Sequence, residues 1–159
     1  MLRILLVALA GLTLNPLMYA QIDVEFEEDR RQHVSVVIGG TTIPSADETA
    51  FTIGVDYEYR LNRLIGVGAV VEHAVGGIDA TTLLAVADIH IWKGLAVQVG
   101  PGVEFIDEGE DHETFAIGRI GALYEIEIAE RFTIAPQAHY DISSGEDAFV
   151  FGVALGVGF

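Results

Sequence analysis

The segment Ala148 to Phe159 alternates without a break. Phe149, Phe151, Val153, Leu155, Val157 and Phe159 share one parity, and Ala148, Val150, Gly152, Ala154, Gly156 and Gly158 share the other. Successive side chains of an extended chain point to opposite faces, so this is a strand with one bulky apolar face and one face of small residues. Few environments accept such a strand. A water-soluble barrel that carries a ligand inside would have to turn the bulky face inward and show glycine and alanine to solvent. Turning the bulky face to hydrocarbon and the small face to a crowded lumen satisfies both sides.

The same period recurs along the chain. Phe51, Ile53, Val55, Tyr57, Tyr59 and Leu61 alternate with Thr52, Gly54, Asp56, Glu58, Arg60 and Asn62. Turn residues separate eight such stretches, near 33–43, 50–62, 64–75, 80–92, 95–106, 114–128, 131–142 and 147–159. Most exceed the roughly 9–11 residues a tilted strand needs to cross a bilayer. No apolar run after Gln21 approaches the roughly 20 residues of a spanning helix. The expected fold is all-β, an eight-stranded antiparallel up-and-down transmembrane barrel, because only a closed sheet leaves no unpaired edge in lipid.

Connections near Asn62-Arg63, Lys93-Gly94 and Glu130-Arg131 read as tight, and those near 41–49, 76–79, 106–113 and 143–147 as mostly longer or more acidic. Short turns on the periplasmic side and longer loops outside place both Gln21 and Phe159 in the periplasm. Charge agrees with this: Arg30, Arg31, Arg60, Arg63, Lys93 and Arg131 gather at one end, and the other end has Asp47, Glu48, Asp79, Asp107, Glu108, Glu110, Asp111, Glu113, Glu146 and Asp147 without lysine or arginine. Aromatic residues near strand ends, Phe51, Phe105, Tyr140 and Phe149 outside and Tyr57, Tyr59, Phe132 and Phe159 inside, match girdles at two interfaces.

The N-terminus carries a targeting pattern. Arg3 precedes an apolar run from Ile4 to Leu14, Asn15-Pro16 breaks it, and Ala20 offers a small residue before Gln21. Residues 1–20 are expected to be a secretory signal peptide. Residues 21–32 are charged and lack alternation, as a flexible periplasmic lead-in would, and 33–159 form the barrel domain. With 24 acidic and 8 basic residues the formal charge is −16, which disfavours nucleic acid as a partner. Hydrophobic residues still make up 51% of the chain, a combination suited to an apolar wall facing lipid. There is no cysteine, so neither a disulfide nor a thiolate metal site is available.

The polar parity places Asp56, Glu58, Arg60, Glu72, Asp88, His90, Gln98, Glu104, Arg119, Glu125, Glu127, Gln137, His139 and Asp141 in the lumen. Such a set reads either as a track for a cation or small solute or as an internal network of ion pairs. The network is the stronger reading, because eight strands leave room mainly for side chains and buried charges must be paired. His139, Asp141 and Ser143 share a face and contain the residue types of acyl hydrolysis. However, Ser143 is a full four residues from His139, roughly 13 Å along a strand, beyond hydrogen-bond reach. The acidic run Asp107–Glu113 lacks the ordered spacing of a calcium loop, and His33, His73, His90, His112 and His139 show no metal-ligand spacing. The glycines open no helix after a strand, so phosphate binding is not indicated. No catalytic residue, metal or cofactor is expected.

On the leader-like segment, the eight alternating stretches and the terminal Ala148–Phe159, the chain resembles the small bacterial outer-membrane β-barrel superfamily, the OmpA/OmpX-like eight-stranded proteins. The resemblance implies residence in the outer membrane of a Gram-negative bacterium, outer-membrane lipid as the surrounding partner and a monomeric barrel. It also implies a terminal strand, ending in aromatic Phe159, that is read by the barrel-assembly machinery during insertion. Lipid A deacylases of that superfamily have a similar His-Tyr-Ser run late in the barrel, but here Asp141 stands in the place of that serine. The fold hosts several activities. A structural or surface-interaction role without catalysis is the expectation, with ligand or cation transport, or lipid hydrolysis, as alternatives.

Overall fold

The computed structural model describes residues 30–108 and 111–159; the expected signal peptide and residues 21–29 of the lead-in lie outside them. The strands are β1 (Gln32–Ile43), β2 (Glu48–Arg60), β3 (Ile65–Val75), β4 (Ala80–Trp92), β5 (Leu95–Glu108), β6 (Asp111–Tyr124), β7 (Ile126–Ala129), β8 (Phe132–Ser143) and β9 (Ala148–Gly158). Neighbours in sequence pair antiparallel from β1 to β6, β8 pairs with both β6 and β7, and β9 joins β8 to β1. The ring is closed, and β6 and β7 are two parts of one crossing, which makes eight staves.

The split of the stretch expected at 114–128 has a local cause. The β6–β8 ladder ends at Leu123 and Gln137, and the β7–β8 ladder begins at Ile126 and Ile134. Between them lies Pro136, which has no N–H to give. The backbone N–H of Glu125, in the gap, donates instead to the carbonyl of Gly94 at 2.7 Å. Pro101 acts similarly on β5: the β4–β5 ladder skips the residues between Leu84–Gly102 and Ala87–Val99.

The start of β1 and the last residue meet at one rim, where the Gln32 N–H donates to the Phe159 carbonyl at 3.0 Å and the Phe159 N–H to the Gln32 carbonyl at 2.8 Å. This terminal rim has the turns at 61–64, 93–94 and 130–131. Lys93 and Gly94 both have positive φ (36° and 87°), the geometry of a two-residue hairpin turn matched to strand twist. The opposite rim differs from expectation. Its turns at 44–47, 76–79 and 144–147 are no longer than 61–64, and β5 and β6 run on until only residues 109 and 110 separate them. Loop length therefore does not distinguish the rims; charge does.

Parity sorts the wall. Between the rims, outward positions on the described strands are apolar, small, threonine or aromatic, and His73 is the one ionisable side chain there besides tyrosine. Val36, Ile38, Ile53, Val55, Val71, Leu83, Ile120, Val153 and Leu155 are all 40% exposed or more. Inward positions are buried or half-buried. Val37, Ala96, Leu123, Ala135 and Ala154 form one apolar layer, and Val70, Leu84, Val86 and Ile117 form another. At the opposite rim Ile78 folds in from its turn onto Ala50, Ala74 and Ala80, with Ile43 and Ile106 beside it. That cluster caps the lumen.

Candidate functional site

The polar residues collect in the barrel interior alongside those apolar clusters. Near the terminal rim, β2 brings Glu58 and Arg60 inward, β4 brings His90, and the break after β6 brings Glu125. Glu58 Oε1 lies 2.7 Å from His90 Nε2, its Oε2 accepts from Arg60 Nε at 3.2 Å, and Arg60 also pairs with Glu125. His90 Nδ1 stands 4.0 Å from Glu125. From β1, His33 contacts Thr133 Oγ1 through Nε2 at 2.8 Å and Ser35 Oγ through Nδ1 at 3.4 Å.

One layer further in, the Gln98 amide nitrogen donates to Asp56 at 3.1 Å and to Asp88 at 3.0 Å. Beyond it, Arg119 from β6 is held from both sides. Its Nε and one terminal nitrogen donate to Asp141 at 2.7 Å each, and its two terminal nitrogens donate to Glu72 at 3.1 and 2.6 Å. The Arg119 side chain is 0% exposed. Two-pronged carboxylate contacts suit the rigid guanidinium fork. Nearer the opposite rim a buried hydroxyl pair, Thr41 and Thr52 at 2.7 Å, continues the polar interior.

The expected lumen residues are therefore distributed unevenly. Glu58, Arg60, His90 and Glu125 form one group, Asp56 and Asp88 share Gln98, and Glu72, Arg119 and Asp141 form another. Glu104 is half-buried on β5. Glu127 does not belong inside: β7 is exposed along its whole length, and its ladder slips between Glu127 and Ala129. Once Pro136 breaks the stave, its last residues stand at the wet rim. His139 is 1% exposed, lies over Gly121, and has no hydrogen-bond partner at either ring nitrogen. Arg119 holds both Asp141 oxygens, and Ser143 Oγ accepts from the Gly145 N–H, so His139, Asp141 and Ser143 do not form a relay. The side chains of Asp107, Glu108, Asp111 and His112 lie outside the described residues.

The lumen set expected from the sequence leaves out His33, Ser35, Thr41, Thr52 and Thr133, all of which the structure turns inward. The available signal was the parity of β1, where Ser35, Val37, Gly39 and Thr41 continue the inward register of His33.

Outside, the terminal strand turns Phe149, Phe151, Val153, Leu155 and Phe159 to the surroundings, each 40–50% exposed, and Val157 is half-buried beside them. The Phe149 and Phe151 rings stack at 5.9 Å. Trp92, 53% exposed at the terminal rim, joins Tyr57, Tyr59 and Phe132 there. A contiguous apolar belt around the whole molecule exceeds by far the patches of a few hundred Å² seen on soluble monomers. With a polar, filled interior it defines an eight-stranded transmembrane β-barrel.

The solved structures agree. The chain is similar to the N-terminal β-barrel domain of Pseudomonas aeruginosa OprF, with a TM-score of 0.62 and 14% identity, covering 82% of this chain and 99% of that one. It is similar to Ail, the attachment invasion locus protein of Yersinia pestis, at a TM-score of 0.55 and 14% identity over 82% of this chain and 97% of that one. A de novo designed transmembrane β-barrel gives 0.51 and 14% over 79% and 94%. These likenesses establish the fold alone, an eight-stranded transmembrane β-barrel. No family model matches the chain, and no curated protein does.

Proposed function

We propose that this chain is a resident of the bacterial outer membrane whose role is structural or surface-interacting, without catalysis and without a conducting lumen. The carrying observation is the inversion of the wall: apolar outward positions enclose an interior in which Arg119 is fully buried between Glu72 and Asp141. Lipid supports the outside, and ion pairs together with the Ile78 cap support the inside. The arginine-bearing terminal rim faces the periplasm and the acidic rim faces out. Export by residues 1–20, delivery by the barrel-assembly machinery through the Phe159-terminated strand, and a monomeric state complete the reading.

The outer rim narrows the kind of surface partner. Ail has been crystallised with the heparin analogue sucrose octasulfate. Here the acidic rim has no lysine or arginine, so a sulfated polyanion would meet only repulsion. Its surface depression of about 390 Å³ is lined by Pro44, Ser45, Tyr140, Gly145, Glu146 and Asp147, which suits a neutral or cationic partner.

Membrane fractionation tests the placement. Recovery with outer-membrane fragments and a heat-modifiable shift on gels are expected, and recovery in the soluble periplasm would overturn it. Planar-bilayer recording tests the seal. Steady openings of the folded chain would favour solute transport instead.

A further inference from the structure

Inside the terminal rim lies a chamber of about 20 Å³, lined by His33, Ser35, Asp56, Glu58, Asp88, His90, Leu123, Glu125, Ala135, Gln137 and Ala154. Such a volume holds roughly one water-sized particle. Four carboxylates face it, and no lysine or arginine is in its lining. Arg60 reaches two of those acids and Gln98 the other two. Gln98 Oε1 is left without a hydrogen-bond partner although the residue is 1% exposed.

Within this chamber His33, Glu58 and Glu125 each offer a ligand atom, and the three atoms lie within 4.8 Å of one another. We infer that the chamber is a binding site for one divalent transition-metal ion of the zinc class, held by His33, Glu58 and Glu125. An imidazole nitrogen with two carboxylate oxygens suits zinc, cobalt or nickel better than calcium or magnesium, which take oxygen alone. Thr133 contacts the His33 ring at 2.8 Å, the outer contact that orients a ligating imidazole. Arg60 bridges the same two glutamates. It therefore keeps them at ligand spacing, and it competes with the ion for them. Leu123, Ala135 and Ala154 close the chamber above. His33 and His90 are only half-buried, so the ion enters from the terminal rim without crossing an apolar layer.

The test is a metal titration of the folded chain in detergent micelles. Zn²⁺ is followed by competition with a chromophoric chelator, and Co²⁺ by its visible absorption. One ion per barrel is expected, with a cobalt spectrum of nitrogen and oxygen ligation. His33→Gln should weaken binding by more than the about 10–100-fold typical of losing an outer-shell partner. Glu125→Gln, which keeps the side-chain shape, should weaken it as well. The controls are His73→Gln, at the exposed histidine 3.7 Å from Asp79, and His112→Gln; both should bind as the parent does. No binding at millimolar Zn²⁺, binding that survives His33→Gln, or binding abolished by either control would overturn the assignment. Heat-modifiable migration of each variant establishes that it is folded, so a failed site is distinguishable from a failed barrel.

Discussion

Replacing Arg119 by methionine removes the cation between Glu72 and Asp141 while keeping most of the side-chain volume. Arg119 makes four charge-assisted hydrogen bonds of 2.6–3.1 Å. At about 1.5–3 kcal/mol for each bond to a charged group, their sum is an upper bound, because the stranded carboxylates relax and draw in water. Breaking a buried ion pair on one side costs about 3–5 kcal/mol, and that is the expected loss of stability. The comparison variant carries Glu72→Leu, Arg119→Met and Asp141→Leu together. With no charge left to desolvate, it should return to within about 1 kcal/mol of the parent or exceed it. The assay is urea unfolding of barrels folded into lipid vesicles. Trp92, the single tryptophan, reports from the outer wall of the terminal rim. A loss below about 1 kcal/mol for Arg119→Met would refute the reasoning, since only a hydrated, screened pair is worth so little.

Three further perturbations probe other layers. Val153→Arg puts a charge at the middle of β9 on the lipid face and should cost about 2–4 kcal/mol in vesicles, whereas Val153→Leu should be nearly silent in the same urea titration. Gly39 sits in the β1–β9 seam that closes the ring, and a Cβ there would stand 1.9 Å from the Phe151 carbonyl oxygen. Gly39→Ala should therefore cost about 1–3 kcal/mol and leave an unfolded band on unheated gels. Thr52→Val strands the buried Thr41 hydroxyl and should cost about 1–3 kcal/mol, while Thr41→Val with Thr52→Val should cost less, because no buried polar group is then left alone; a double variant as unstable as the single one would argue against the pair.

The staves were legible because a side chain's face depends only on its parity. Along Ala148–Gly158 and Phe51–Arg60 one parity stands exposed and the other is turned inward, as alternation alone requires. Glu127 misled because its parity is inward while its stave has already been broken by Pro136, an effect that arises on the facing strand. The loops misled in the same way. Thr41–Thr49 and Ile106–Glu113 look like long connections, yet β1, β2, β5 and β6 extend into them once a partner strand offers hydrogen bonds.

Local alternation alone decides that this chain alternates between lipid and lumen, how many times it crosses, and which rim gathers its arginines. It cannot decide which lumen residues meet. Glu72 and Arg119 are 47 positions apart, and His33 reaches Glu125 and Thr133 only because β1 closes on β9 beside β8. Those meetings depend on the stagger of the ring, a property of all the strands at once. His139 and Asp141 show the consequence: they share a face of one strand, but closure brings Arg119 to Asp141 and leaves the histidine over Gly121. Faces follow from the order of residues along each strand, and partners follow from how the ring closes.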